Sequence, residues 1–199
     1  VATPHYHPGR YIVDSSMVQE RLEEVQETCK EKRIPMRIFP GQECYWFSGL
    51  IDALVDGKAL TMNCTSMVLV EFEPGTLYNV IQYAVRSLLS NGYIPIIAHF
   101  ERYEALRDHI DRLKELRDMG AYLQLNFDRL LDKDRFFQRN PWRRFLLQGY
   151  VDFLGSDTHG MKFRPPHIDE AVEWLEDSVE EERQWSLLMR NPQMLIPDL

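Results

Sequence analysis

Histidine and carboxylate side chains recur along the chain near the ends of short apolar runs. The candidates are His5, Glu43, Glu71, His99, Asp157 and His159. Imidazole nitrogens combined with carboxylate oxygens suit Mn, Fe or Zn, whereas Ca²⁺ favours oxygen alone and structural zinc favours cysteine. Glu71 directly follows an apolar run over residues 67–70, where an unpaired buried carboxylate would be costly. A cation would relieve that cost, so these residues predict a divalent metal site.

The number of carboxylates and two nearby arginines favour hydrolysis as the reaction class. Several carboxylates among so few ligands suggest bridging, and paired metals about 3.5–4 Å apart commonly act in phosphoester hydrolysis. Arg102 follows His99 by three residues, and Arg164 lies in the segment after Asp157 and His159. A planar guanidinium can bind phosphate oxygens, although a salt bridge to a neighbouring acid is the alternative for both residues. Arg102 and Arg164 are therefore the candidate catalytic residues.

Aromatic residues next to Glu43 are candidates for contact with a substrate ring. Tyr45 and Trp46 lie where the chain should leave the sheet. Their rings could form an apolar wall, and ordinary packing at the core or the rim is the alternative. Cys44 lies beside Glu43, but the CxxxxxR pattern of a cysteine phosphatase is missing, which disfavours that mechanism.

Composition predicts one globular domain spanning residues 1–199. The chain has 23 Lys plus Arg against 31 Asp plus Glu and a net charge of -8, so we expect no nucleic-acid binding. The apolar runs fall short of the ~20 residues that a membrane helix requires, so we expect no membrane insertion. Three cysteines without CxxC spacing favour a reducing compartment, and hence the cytoplasm. The sequence leaves open whether the protein is an oligomer.

Helical and apolar patterns alternate along the chain. Helices are predicted over residues 15–32, 76–90, 110–119 and 142–148, with a last one from 168 to about 176 that continues toward 188. Strands are predicted over 36–39, 67–72, 93–99, 121–126 and 151–155, and residues 1–4 resemble the end of another strand. Apolar strands between helices indicate a covered parallel sheet, in an α/β barrel or a doubly wound fold. In either fold, ligands bind at the carboxyl ends of the strands.

Taken in order, the motifs resemble one known family. They are Ala2-Thr3-Pro4-His5, Gly41-Gln42-Glu43, Leu69-Val70-Glu71-Phe72, Ile97-Ala98-His99-Phe100-Glu101-Arg102-Tyr103, Gln124-Leu125-Asn126, and Gly155-Ser156-Asp157-Thr158-His159 followed by Arg164-Pro165-Pro166. This ordered set resembles the bacterial PHP-superfamily (polymerase and histidinol phosphatase) protein-tyrosine phosphatases of capsular and exopolysaccharide synthesis. The resemblance implies a distorted (β/α)7-type PHP barrel that dephosphorylates tyrosines on a cognate tyrosine kinase of polysaccharide export.

The resemblance also implies roles for individual residues. The family holds two or three divalent metals, usually Mn²⁺, with Fe or Zn as alternatives. Arg102 would position the phosphate and Arg164 would be a second phosphate-facing residue. Glu43 would bridge two metals. The metal ligands by motif match would be His5, Glu43, Glu71, His99, Asp157 and His159.

One departure from the family pattern concerns the start of the chain. Family members open with a DxHxH-type strand and an acidic glycine turn that supply further ligands, and no such motif precedes Val1 in this sequence. We therefore expect the barrel to lack its N-terminal strand in this chain. If the parent protein carries an upstream segment, that segment would supply the missing ligands. His7 is interpreted as a loop residue and not as a replacement ligand. The alternatives are a small-molecule phosphatase of histidinol-phosphatase type and a catalytically impaired regulatory homologue.

Overall fold

Six parallel strands form one sheet whose order follows the chain. The structure is a computed structural model and describes residues 1–11, 13–132, 140–162, 164–166 and 168–196. Each strand pairs in parallel with the next. A doubly wound sheet reverses its strand order at a switch point, whereas an order without reversal is that of an α/β barrel. The predicted α/β barrel class is confirmed, as a curled part of a barrel. The strands are β1 His5–Tyr6, β2 Glu43–Tyr45, β3 Met67–Glu71, β4 Ile94–Ile97, β5 Tyr122–Asn126 and β6 Phe153–Gly155.

Helices connect the strands and follow the last of them. They are α1 Ser15–Glu31, α2 Leu50–Val55, α3 Tyr78–Ser90, α4 Ile110–Asp118, α5 Pro141–Leu147, α6 Ile168–Ser178, α7 Glu181–Trp185 and α8 Asn191–Gln193. Helices α1–α5 connect successive strands, and α6–α8 follow β6. Helix α1 begins where the Asp14 carboxylate accepts a hydrogen bond from the Met17 backbone N–H at 3.0 Å, as an N-cap does. Short 3-10 turns follow β4 and β5 directly, at Phe100–Arg102 and Phe127–Leu131. Within the described residues, no helix combines the length and apolar character needed to cross a membrane.

The two faces of the sheet carry different side chains because successive residues of a strand point to opposite sides. On the outer face, Cys44, Val68 and Leu123 pack against the helices in the main core. On the inner face, Met67, Leu69, Ile96 and Phe153 form a smaller apolar cluster. Above this cluster, toward the carboxyl ends of the strands, the inner face turns polar. The inner face of the sheet thus carries a polar site next to a small apolar cluster.

The first two strands differ from the sequence-based expectation. The predicted strand over residues 36–39 is wrong: residues 34–39 form no strand, and Met36 is 59% exposed. Pro35 and Pro40 flank this segment and lack the N–H that a sheet ladder needs. Its contact with the sheet is a single bridge between Ala2 and Pro40. Glu43 therefore begins a strand instead of following one. The short helix α2 was also missed.

We expect the free energy of unfolding to depend on the outer-face core. Leu88 on α3 is fully buried in that core, so Leu88→Ala should lower the free energy of unfolding by about 2–5 kcal/mol through lost burial and a residual cavity. Leu147→Ala on α5 is the matched control because Leu147 is 58% exposed. We expect it to change stability by less than about 0.5 kcal/mol. Urea denaturation followed by circular dichroism measures both, and equal losses would contradict this assignment of the core.

Candidate metal centre

His5, Glu43 and Glu71 converge on the inner face of the sheet. His5 lies opposite Glu43 in the β1–β2 pairing, so both side chains point to the same side. Glu71 is the last residue of β3. One nitrogen or oxygen atom from each residue falls within a group whose members lie within 4.8 Å of one another. Ligand atoms at 2.0–2.2 Å from one ion lie at most about 4.4 Å apart, so a small adjustment brings all three onto a shared cation.

His99 joins this group from the end of β4. Its Nε2 lies 2.7 Å from Glu43 Oε1 and 3.6 Å from Glu71 Oε1, and the residue is buried. Its backbone is left-handed, with φ 29° and ψ 57°, which is strained for a residue other than glycine. The backbone N–H donates to Gln124 Oε1 at 2.8 Å. This bond helps hold the turn that aims the imidazole at the two carboxylates.

Tyr103 fixes the other side of the His99 ring. Its Oη lies 3.3 Å from His99 Nδ1 and accepts a hydrogen bond from the Phe72 backbone N–H at 3.1 Å. The tyrosine is fully buried. A partner on one ring nitrogen orients the imidazole so that the opposite nitrogen is presented to a metal. Tyr103 belongs to one of the motifs that carry the family resemblance, but the sequence predicts no role for it, since its contact with His99 depends on the folded turn.

Asp157 is the centre of a second group, just beyond β6. It accepts hydrogen bonds from Arg102 Nη2, from Asn126 Nδ2 at 3.1 Å and from Arg164 Nη1 at 3.2 Å. His159 Nδ1 lies 2.9 Å from the Asp157 carbonyl oxygen. Both arginines therefore form salt bridges in this structure, as the alternative interpretation of the sequence expects, and Asp157 is their shared acid.

The two groups meet through histidine rings. The ring centroids of His5 and His159 lie 5.7 Å apart. All six candidate ligands and both arginines thus lie around one region at the carboxyl ends of the strands. A cavity of about 630 Å³ opens there, with polar walls that include His5, Glu43, His99 and Asp157 and an apolar floor.

The electrostatics of the first group fit a cation. Glu71 raises the pKa of His5, burial opposes this, and the charges of Glu43 and Asp157 add to the rise. Burial raises the pKa of Glu71, but His5, His99 and Arg102 outweigh it, so the net pKa is lowered. His5 Nδ1 is buried 3.4 Å from Glu71 Oε2 and makes no hydrogen bond of good geometry to the described residues. An imidazole beside two carboxylates is a fitting ligand set for a divalent cation.

The two predicted substrate-contacting aromatics lie on opposite faces of the sheet. Tyr45 follows Glu43 on the inner face and stacks on His7, with ring centroids 3.9 Å apart. Trp46 points to the helices, where its ring meets Tyr83 on α3 at 6.2 Å. The structure therefore brings Tyr45 to the rim of the site and turns Trp46 away from it.

A chain of buried amides links the two groups of ligands. Gln124 Nε2 donates to Asn126 Oδ1 at 2.9 Å, and Asn126 in turn donates to Asp157. Gly155 makes room for the Gln124 side chain, because a Cβ at position 155 would lie 2.5 Å from Gln124 Nε2. Sequence reasoning gave these amides no role. The available signal was two amides spaced by two residues on an otherwise apolar strand.

Glu101 is a further buried group that sequence reasoning missed. Both of its carboxylate oxygens are buried without a hydrogen bond among the described residues, and Arg129 Nε lies 3.7 Å away. Burial raises the pKa of Glu101 to about 7. The residue lies in the turn between His99 and Arg102.

Comparison with known proteins adds to this geometry. The model of the family described as "Capsular polysaccharide synthesis, CpsB/CapC" matches residues 1–197. The chain belongs to this family. Among curated CpsB/CapC relatives, the tyrosine-protein phosphatase CpsB of Streptococcus agalactiae is 30% identical over 98% of this chain and 83% of that protein. The tyrosine-protein phosphatase YwqE of Bacillus subtilis is 28% identical over 98% of this chain and 77% of that protein.

A solved structure of the CpsB/CapC type shares the fold. It comes from a study of YwqE from Bacillus subtilis and CpsB from Streptococcus pneumoniae, described as unique metal-dependent tyrosine phosphatases. The match has a TM-score of 0.87 and 27% identity, and it covers 100% of this chain and 81% of that chain. The resemblance to capsule-synthesis tyrosine phosphatases that the motifs indicate is thereby confirmed at the level of family and fold.

We expect Tyr103→Phe to weaken metal binding. The change removes the Tyr103 oxygen that faces His99 Nδ1, and loss of such an outer partner typically costs 10–100-fold in metal affinity. The dissociation constant for Mn²⁺, read from the electron paramagnetic resonance signal of free Mn²⁺, should rise by about tenfold. Tyr78→Phe is the matched control, since its hydroxyl bonds Glu115 between α3 and α4. An unchanged dissociation constant in Tyr103→Phe would contradict the orienting role.

We expect Glu101 to make stability depend on pH. Its pKa is higher in the folded protein than in the unfolded chain, so its contribution to stability is complete below about pH 4.5 and is lost as pH rises through about 7. Glu101→Gln should match the parent near pH 4.5 and exceed its free energy of unfolding by roughly 1–3 kcal/mol at pH 8. Urea denaturation in EDTA at both pH values measures this. Glu104→Gln, at an exposed position of the same segment, should show no such difference.

Proposed function

We propose that this chain is a metal-dependent protein-tyrosine phosphatase domain spanning residues 1–199. Its substrate would be phosphotyrosine on a bacterial tyrosine kinase of polysaccharide export, in the cytoplasm. The observation that carries the proposal is the convergence of His5, Glu43 and Glu71 within 4.8 Å. Membership of the CpsB/CapC family, whose curated relatives carry the name tyrosine-protein phosphatase, supports the substrate class.

The six candidate ligands would hold two or three divalent cations. Mn²⁺ is the proposed metal, and Fe or Zn would also suit mixed nitrogen and oxygen ligation. Glu43 is proposed to bridge, because it lies in the group with His5 and Glu71 and also 2.7 Å from His99 Nε2. When bound, divalent cations lower the pKa of a water molecule and stabilise charge on the phosphoryl oxygens. The complete proposed set is His5, Glu43, Glu71, His99, Asp157 and His159.

The arginines would bind and orient the phosphate. Arg102 and Arg164 both reach Asp157, which places two guanidinium groups at the edge of the carboxylate-rich group. Their remaining N–H donors can bind phosphate oxygens in the geometry that guanidinium favours. Donors held in place before the reaction stabilise transition-state charge without a reorganisation cost. Asp157 would act as the anchor that keeps both side chains in position.

The first experiment removes and restores the metal. We expect EDTA treatment to abolish hydrolysis of a phosphotyrosine peptide and Mn²⁺ to restore it, because the bound cations would supply the activated water. Histidinol phosphate, assayed in parallel, separates this function from a small-molecule phosphatase. Faster turnover of histidinol phosphate would favour that alternative, and no turnover of either substrate by the Mn²⁺-loaded protein would favour the catalytically impaired homologue.

A substitution sharpens the same assay. Arg102→Ala should lower kcat/KM for the phosphotyrosine peptide by about 10²–10³-fold, as loss of one charge-stabilising donor typically does. Arg107→Ala is the control, because Arg107 is exposed in the same segment and pairs with its neighbour Asp108. A similar small effect of both changes would remove Arg102 from the proposed mechanism.

A further inference from the structure

A tight turn after β1 folds the chain back over the site. The carbonyl oxygen of His7 accepts hydrogen bonds from the backbone N–H of Arg10 at 3.0 Å and of Tyr11 at 2.9 Å. Gly9 permits this turn because its φ is 85°, a left-handed value that a side chain disfavours. The turn returns Tyr11 to the neighbourhood of His5, six residues earlier in the chain.

Four rings meet at this point. Tyr11 stacks on His5 with centroids 5.4 Å apart and planes 12° apart. His7 stacks on Tyr45 at 3.9 Å and 6°, and meets Tyr11 edge-on at 6.2 Å and 69°. Stacked and edge-to-face pairs are the favourable arrangements of aromatic rings. We call Tyr11, His7 and Tyr45 the aromatic wall.

The strand register sets the aromatic wall one layer above the candidate ligands. Tyr45 follows Glu43 by two residues in β2, so it points to the same side as Glu43, nearer the carboxyl end. His7 lies just beyond β1 and stacks on Tyr45. The wall therefore lies beside the candidate ligands, on the side of the carboxyl ends of the strands, and its residues are not among those that line the cavity. Tyr11 is 43% exposed, and His7 and Tyr45 are partly exposed. An aryl phosphate combines an aromatic ring with a phosphate group. Accessible aromatic side chains beside ligands for a phosphate-binding metal can contact both parts.

We propose that the aromatic wall binds the phenyl ring of the substrate and so selects aryl over alkyl phosphates. This inference rests on the proposed phosphatase function, and it names the residues that would determine substrate class at the same site. An alkyl phosphate can reach the same cations and arginines, but it leaves the wall uncovered. A phenyl ring packs against Tyr11 and Tyr45 and gains both apolar burial and ring–ring contact. His7 stiffens the wall by covering one face of Tyr45.

The test compares two ligands that differ only in the ring. Dissociation constants of phenylphosphonate and methylphosphonate are measured by titration calorimetry on the Mn²⁺-loaded protein, which requires no turnover. Tyr11→Leu should raise the dissociation constant of phenylphosphonate about 3- to 10-fold relative to that of methylphosphonate, the size of one aromatic contact. Tyr45→Leu should act in the same direction. Tyr11→Phe should restore the parent ratio, because it keeps the ring.

Tyr83→Leu is the matched control. Tyr83 is exposed on α3 and contacts Trp46 on the helix-facing side of the sheet, so the parent ratio should persist. An unchanged ratio in both Tyr11→Leu and Tyr45→Leu would overturn the proposal. A parallel weakening of both phosphonates would also overturn it, since Tyr11 would then act only by supporting His5. The proposed function fails separately, by an absence of phosphotyrosine hydrolysis in the parent protein, whatever the phosphonate ratio.

Discussion

Two carboxylates held together inside the sheet are the constraint on which the rest of this structure depends. Glu43 and Glu71 both approach His99 Nε2, at 2.7 and 3.6 Å, where solvent is largely excluded. Like charges in such a place repel each other and lose hydration, so they persist only where histidines or cations offset the cost. This requirement accounts for the histidine beside each carboxylate, since His5 lies 3.4 Å from Glu71 and His99 lies 2.7 Å from Glu43. Lower on the same face, Leu69 and Ile96 form an ordinary apolar core.

A buried polar network keeps this arrangement in place against local backbone strain. His99 and Asp157 both have positive φ values, 29° and 46°, at the points where β4 and β6 give way to loops. Each such residue costs of order 1–3 kcal/mol and persists only where its surroundings determine it. Gln124 holds the backbone of His99 and Asn126 holds the side chain of Asp157. Two neighbouring inner-face residues of one strand thus tie both strained turns to the sheet.

The sequence predicted those parts of the fold that have a strong local pattern. Strands β3 and β4 lie in apolar runs, and β5 is apolar apart from Gln124 and Asn126. The predicted and observed limits of β3 differ by one residue at most. Strands β1 and β2 span two and three residues and contain His5 and Glu43, so no apolar run marks them. The run over residues 36–39 is only partly exposed, yet it forms no strand, because pairing and not composition decides whether a segment joins a sheet. The roles of Tyr103 and Glu101 depend on burial between distant segments, which single-sequence patterns do not encode.

The site is electrostatically divided, and the division suits a phosphate ester in a protein whose net charge is -8. On one side, Glu43 and Glu71 concentrate negative charge around His5, which attracts cations. On the other side, Arg102 and Arg164 offset the charge of Asp157 and leave guanidinium donors at the edge of the cavity. An acidic surface alone would repel a phosphorylated substrate, so the attraction must be local. Because the centroids of the His5 and His159 rings lie 5.7 Å apart, the carboxylate-rich half and the arginine half adjoin within one site.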